Sequence, residues 1–264
     1  MEVIVRPTTD AAADLVAALV AASVRENPRL VVGFATGRTM ERVYALLVNE
    51  HRERGLSFSG ITTFNLDEYT GLPAGSPDTY RSYMHERFFR HTDISPANTH
   101  LPDGNAADLD AECAAYEERI AAAGGIDLQL LGIGAVGHIG FNEPLSALRS
   151  RTRVKALSPK TIEQNAGAFG GDPNKVPRRA ITMGVGTILD TRRAILLATG
   201  SDKAEIIAKA VEGPVTSMIS ASALQLHPRC TVVVDEAAAT RLTEQDYYRW
   251  IFANEPEWKP YQSL

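Results

Sequence analysis

Apolar residues along the chain follow two alternating spacings. Short runs rich in β-branched residues read as strands: "EVIVR" (2–6), "RLVVGF" (29–34), "GITTFN" (60–65), "DLQLLGI" (127–133), "RAILLAT" (193–199) and "CTVVVD" (230–235). Between them the spacing becomes helical. Thr8 or Thr9 can cap a helix whose apolar stripe is Leu15, Val16, Leu19, Val20 and Val24. Further helices are predicted over "MERVYALLVNEHRER", residues 77–90, residues 107–123 and "DKAEIIAKAVEG". Strands apolar on both faces and separated by helices predict an α/β fold, with a mostly parallel sheet covered by helices on both sides. No repeat, low-complexity tract or linker divides the chain, so a single α/β domain over residues 1–264 is expected. The loosest segment, "NAGAFGGDPNKVP" (165–177), is broken by glycines and prolines and is a candidate mobile lid.

Composition adds exclusions. Of 264 residues, 44% are hydrophobic and 22% charged, which supplies ample core. A net charge of -5 argues against a nucleic-acid partner, so any anion must be bound locally. Cys113 and Cys230 have neither CxxC spacing nor a nearby histidine cluster. They read as buried free thiols in a reducing compartment, and no metal site is expected. The N-terminus lacks the basic-then-apolar order of a signal peptide, and "LVAALVAAS" is too short to span a bilayer. A cytoplasmic protein without membrane attachment is expected.

In an open parallel sheet, ligands bind beyond the carboxyl ends of the strands. Three polar segments fall there: "ATGRT" (35–39), "NLDEY" (65–69) and "GHIGFNEP" (137–144). The first opens a helix, and its backbone N–H groups with the Thr36 and Thr39 hydroxyls can cradle a phosphate. The bland alternative is a small-residue turn with Thr39 as a cap. In "NLDEY", Asp67 and Glu68 point apart if the backbone is extended, so they need not form one site, and a carboxylate there can be a general base, a metal ligand or a helix cap. "GIGAVG" (132–137) matches G-x-G-x-x-G literally. A dinucleotide site needs a helix directly after the glycines and an acidic residue about 20 positions on. Here "HIGFNEP" intervenes, Pro144 is expected to start a helix rather than sit within one, and Arg153 and Lys155 stand near the acidic position. His138 with Glu143 nearby is an acid/base candidate.

Taken together these segments resemble the glucosamine-6-phosphate deaminase/isomerase family. The likeness extends through "DAECAAYEERI", "SRTRVKAL", "GVGTILD", "GSDKA", "AVEG" and "LQLHP". The resemblance implies a Rossmann-like doubly wound fold with a lid (about 156–180) and no cofactor. It also implies an isomerisation coupled to loss of ammonia, glucosamine 6-phosphate giving fructose 6-phosphate. Carried over, Asp67 is the base that moves a proton between C2 and C1, His138 assists ring opening, and Glu143 orients it. Thr36, Gly37, Arg38, Thr39 and Lys203 hold the 6-phosphate. Ser146, Arg153 and Lys155 match part of an activator site found in oligomeric members, with Ala147 where a serine is usual, which leans toward a homo-oligomer.

Two positions depart from the family. Val136 stands where an aspartate helps hold the histidine, and Gly167 stands where a lid arginine grips phosphate. Arg38, in place of a small residue, would supply a relocated cation. Two alternatives stand beside deamination, the first raised by Val136 and the second by the two departures together. One is a dehydratase that expels the 3-hydroxyl of N-acetylglucosamine 6-phosphate from the same enolate. The other is a non-catalytic sensor of amino-sugar phosphates.

Overall fold

The β-branched runs form the middle of the molecule. The computed structural model describes residues 1–264. Ten strands follow in chain order: β1 (Glu2–Arg6), β2 (Val31–Phe34), β3 (Thr62–Asn65), β4 (Asp67–Tyr69), β5 (Thr99–His100), β6 (Leu128–Leu131), β7 (Arg153–Ala156), β8 (Arg179–Thr182), β9 (Ala194–Ala198) and β10 (Cys230–Asp235). Seven of them make one sheet in the order β1-β10-β9-β6-β2-β3-β5. Every pairing in it is parallel. β9 and β10 are buried along their whole length, as strands covered on both faces must be.

The helices are α1 (Thr9–Glu26), α2 (Arg38–Arg54), α3 (Tyr80–Arg87), α4 (Leu109–Ala122), α5 (Pro159–Asn165), α6 (Val185–Leu189), α7 (Ala204–Val211), α8 (Glu236–Ala239) and α9 (Gln245–Asn254). Thr8 caps α1, its hydroxyl accepting from the Ala11 N–H at 3.1 Å. The predicted stripe Leu15, Val16, Leu19, Val20 and Val24 is buried. At roughly 1.5–3 kcal/mol for each large apolar side chain, docking of this face outweighs the helix's intrinsic propensity. No helix is long and apolar enough to cross a membrane.

Connectivity sets where a ligand can sit. The chain runs from β2 through β3 to β5 at one edge, returns to place β6 on the other side of β2, and continues through β9 to β10. The β2–β6 seam is therefore the point where the winding reverses, and the crevice at its carboxyl end is the natural binding place.

A second sheet was not legible in the apolar pattern. It has three antiparallel strands in the order β4-β8-β7, with Asp67 paired to Thr182 and Tyr69 to Ala180. It carries its own small core of Tyr69, Phe141, Leu157, Ile162, Ala166, Phe169, Val176 and Ala180, separate from the 61-residue main core. The segment 165–177 belongs to this layer. It contains a short 3-10 turn, Ala166–Phe169, and its Phe169 and Val176 are buried.

Two local expectations are corrected. Pro144 starts a turn rather than a helix. Leu145 follows with φ 70, the one non-glycine residue at positive φ, and its N–H donates to the Ser217 carbonyl at 2.8 Å. With no helix after "GIGAVG", a dinucleotide-binding turn is absent. α2 begins at Arg38 with Gly37 as N-cap, so Thr39 lies inside the helix and does not cap it.

Candidate active site

A cavity of about 530 Å³ opens at the β2–β6 seam. Its lining draws on all three predicted strand-end segments: Thr36 to Thr39 after β2, Asp67 after β3, and residues 132–135 with His138 and Gly140 after β6. Lys203 reaches it from beyond β9.

The first wall is an anion cradle. Gly37 sits at φ 107, a conformation that favours glycine, and α2 starts there with no side-chain cap. Its first-turn N–H groups and helix dipole therefore remain available to an anion. Tyr83 pins the turn by donating to the Gly37 carbonyl at 2.9 Å. Thr36, Thr39, Arg38 and Lys203 surround this point. Lys203 is 3.7 Å from Asp202, while Arg38 lines the rim with no protein carboxylate in ion-pair range.

The second wall carries Asp67 and Glu68, and their environments separate them. Glu68 turns away from the cavity and accepts from the Tyr69, Tyr80 and Arg81 N–H groups at 2.9, 3.0 and 2.9 Å. It fastens the start of α3 to β4. Asp67 faces the cavity, is 6% exposed, and has no salt-bridge partner. Burial, with the neighbouring Glu68 charge adding to it, pushes its carboxyl up to about 8. Gly140, at φ 55, brings its backbone close to Asp67: a side chain there would meet the Thr182 hydroxyl at 2.8 Å and Asp67 Oδ2 at 3.5 Å.

The third wall is the "GHIGFNEP" loop. His138 and Glu143 are both buried. His138 Nδ1 lies 3.7 Å from Glu143 Oε2, beyond hydrogen-bond length, and neither atom has another partner. Burial alone would raise the Glu143 carboxyl, but His138, Thr161 and the Ser158 N–H outweigh it and hold it at about 2. The site thus contains one carboxyl poised near neutrality and one that stays ionised, the division of labour acid–base chemistry requires. Gly134 makes room for the imidazole: a Cβ there would lie 2.0 Å from His138 Nε2. Asn142 is fully buried and clamps the loop, donating to the Ile139 and Met183 carbonyls at 2.9 and 2.8 Å.

Four expected residues lie outside the lining, and one of them, Glu143, is buried beside His138. Ser146, Arg153 and Lys155 do not line the cavity. Arg153 donates to Asn142 Oδ1 and to Ser146 Oγ, each at 2.9 Å, so it braces the loop from behind. Val136 also falls outside the lining. It therefore does not make the cavity wall less polar, and the argument for a dehydratase from that residue loses its contact.

The structure adds residues that sequence reasoning missed. Gln164 Oε1 accepts from the Ala135 N–H at 2.8 Å, and Asn165 Nδ2 donates to Tyr69 Oη at 2.8 Å. Both lie on α5 and line the cavity. The signal was "SPKT": Ser158 before a proline is a helix start, and its hydroxyl does accept from the Thr161 N–H.

The family described as glucosamine-6-phosphate isomerases/6-phosphogluconolactonase matches residues 6–233. A glucosamine-6-phosphate deaminase of Arthrobacter sp. (strain FB24) is 48% identical over 259 residues, covering 98% of this chain and 99% of that one. One of Streptomyces coelicolor is 47% identical over 259 residues, with 98% and 99% coverage. The solved structure of a monomeric glucosamine-6-phosphate deaminase superposes with a TM-score of 0.89 at 44% identity, over 91% of this chain and all of that one. The 6-phosphogluconolactonase of Trypanosoma brucei, at 20% identity, a TM-score of 0.72 and coverage of 92% and 98%, shares the fold. By the extent of these matches, the chain belongs to the glucosamine-6-phosphate isomerase/6-phosphogluconolactonase family.

Proposed function

We propose that the chain is a glucosamine-6-phosphate deaminase/isomerase that converts its substrate to fructose 6-phosphate and ammonia. Thr36, Gly37, Arg38, Thr39 and Lys203 hold the phosphate and so fix the far end of the sugar. Arg38 serves as the cation that Gly167 does not supply. His138 moves the proton that opens the ring, and Glu143 steadies the imidazolium. With C1 an aldehyde, Asp67 takes the proton from C2 and the bonding pair shifts to give an enolamine. Return of that proton at C1 leaves a ketimine, which water hydrolyses to the C2 ketone and ammonia.

The observation that carries this reading is the buried Asp67 carboxyl, which has no cationic partner and is pushed up to about 8. A substrate with a free 2-ammonium brings the missing positive charge against it, favours the carboxylate and so switches on the base as it binds. An acetylated nitrogen carries no charge and gives no such activation, which favours deamination over dehydration. A pure sensor has no need of a proton shuttle.

Activator binding through Ser146, Arg153 and Lys155, and the homo-oligomer it leans toward, would require the Arg153–Ser146 pair to open. The deciding experiment incubates the protein with glucosamine 6-phosphate and with its N-acetyl counterpart, following ammonia and mass together. Ammonia from the first alone is expected. An ultraviolet-absorbing product from the second without ammonia would replace this reading with dehydration, and binding of either without turnover would replace it with sensing.

A further inference from the structure

A row of hydrogen-bonding side chains runs from the anion cradle to α5. Thr36 and Tyr80 line the same cavity. Tyr80 Oη donates to Tyr69 Oη at 3.3 Å, and Asn165 Nδ2 donates to the same Tyr69 oxygen at 2.8 Å. Tyr69 stands behind the cavity wall, its ring 5.4 Å from those of both Phe141 and Phe169. Burial pushes the Tyr69 phenol up to about 12 and the Tyr80 phenol well above its ordinary value, so both stay neutral. Each hydroxyl in the row therefore owns one proton. Thr36 makes no hydrogen bond to Tyr80 here, while Tyr80 and Asn165 each donate to Tyr69. Two donors then converge on Tyr69, and its own proton finds no acceptor within the row.

We propose that Tyr69 and Tyr80 are positioning residues that report occupancy of the phosphate cradle to Asn165 on α5. A phosphate dianion accepts the Thr36 proton. Tyr80 then donates to Thr36, Tyr69 donates to Tyr80, and Asn165 donates to Tyr69. Every bond now runs from the lid amide toward the anion, and every donor has an acceptor. Hydrogen bonds aligned in one direction polarise and strengthen one another. The seated phosphate thereby tightens the hold on Asn165, and with it on α5. That helix also holds Ala135 through Gln164 and is capped by Ser158, whose N–H donates to Glu143 at 3.1 Å. Binding at the far end of the sugar and closure around His138 and Glu143 become one event. The ligand class is a phosphate monoester dianion, and the proposal rests on reading Thr36 as part of the phosphate site.

The test follows hydrogen exchange across residues 159–170 with and without saturating inorganic phosphate, with binding measured by calorimetry on the same samples. In the wild type, phosphate should slow exchange about tenfold, the worth of one hydrogen bond. Tyr69→Phe keeps a ring between Phe141 and Phe169, and should bind phosphate yet lose the slowing. Asn165→Ala breaks the row at its other end and should behave alike, which keeps the test open if the first variant folds poorly. In turnover, Tyr69→Phe should raise KM for the sugar phosphate about tenfold, with a smaller change in kcat. A merely structural tyrosine would lower Tm and leave the phosphate-induced slowing intact. Slowing of wild-type size in both variants would overturn the relay, as would absent slowing in a wild type that binds phosphate. Failure of the wild type to bind phosphate would remove the cradle reading and the relay together.

Discussion

Asp67 suits the proposed role of base because the fold denies it every partner its sequence neighbour receives. Glu68 collects three backbone N–H groups, whereas Asp67 collects none and is desolvated. Asp67→Asn should cut turnover by about 10²–10⁴-fold while sugar-phosphate binding persists, since the cradle lies on another wall. The same burial has a stability cost with a definite sign. The carboxyl is raised from 3.8 to about 8, so between those values the folded chain holds a proton that the unfolded chain has released. Stability from this group is full below about 4 and is lost as pH rises toward about 8. The Tm of Asp67→Asn should therefore exceed that of the wild type by a margin that widens from pH 4.5 to pH 8.5. A constant margin would mean that Asp67 titrates normally. Gly134 makes the converse case, a residue defined by what it must not carry. A methyl group there would sit 2.0 Å from His138 Nε2, so Gly134→Ala should displace the imidazole. Activity should fall at least tenfold with Tm changed by a few degrees at most, because Gly134 lies in the irregular segment after β6 and belongs to neither apolar core. Wild-type activity in this variant would show that the histidine ring can sit elsewhere.

At the scale of elements, the parallel sheet was legible and the small antiparallel one was not, for a physical reason. β2, β3, β6, β9 and β10 are apolar runs punctuated by polar turns, and they fall where the pattern put them. β4 is three residues long and reads as the catalytic motif "DEY", while β7 carries Arg153 and Lys155 and is only half-buried. Neither offers the two-sided apolar signature of the main sheet, because one face of this layer belongs to the site. The three strand-end segments were found because chemistry concentrates polar residues at strand termini. Gln164 and Asn165 were missed because their contacts with Ala135 and Tyr69 span 29 and 96 residues, which no local pattern records. Gly167, one turn further along, tests how this layer meets the phosphate. A Cβ there has nothing within 4 Å and its φ needs no glycine. Gly167→Arg should fold normally and lower KM for the sugar phosphate about three- to fivefold, the range of a solvent-exposed charge contact. An unchanged KM would mean that Arg38 already saturates the cradle, or that the 166–169 turn does not approach it.

For the whole molecule, two separate cores mean that stability and access to the site can be perturbed at different residues. The 61-residue core holds the parallel sheet and α1, α2 and α4, and Ile195 at its centre is fully buried on β9. The eight-residue core of the small antiparallel layer includes Phe169 and Val176, with the Phe169 ring edge-on to Tyr69. Small apolar clusters of this kind open at lower free energy than the global transition, and active-site covers are drawn from that low end. Ile195→Ala should cost about 2–5 kcal/mol and lower Tm by several degrees, with little effect on exchange in 159–180 relative to the rest of the chain. Phe169→Ala removes a comparable volume, yet it should leave the global Tm nearly in place and speed exchange selectively across residues 159–180. Its KM should rise more than its kcat falls, since the proposed catalytic groups, Asp67 at the start of β4 directly after β3 and His138 in the loop after β6, are tethered to strands of the larger sheet. If Phe169→Ala instead lowered Tm as far as Ile195→Ala, the two clusters would unfold as one unit. Closure would then have to come from rotation of side chains rather than from opening of the 159–180 layer.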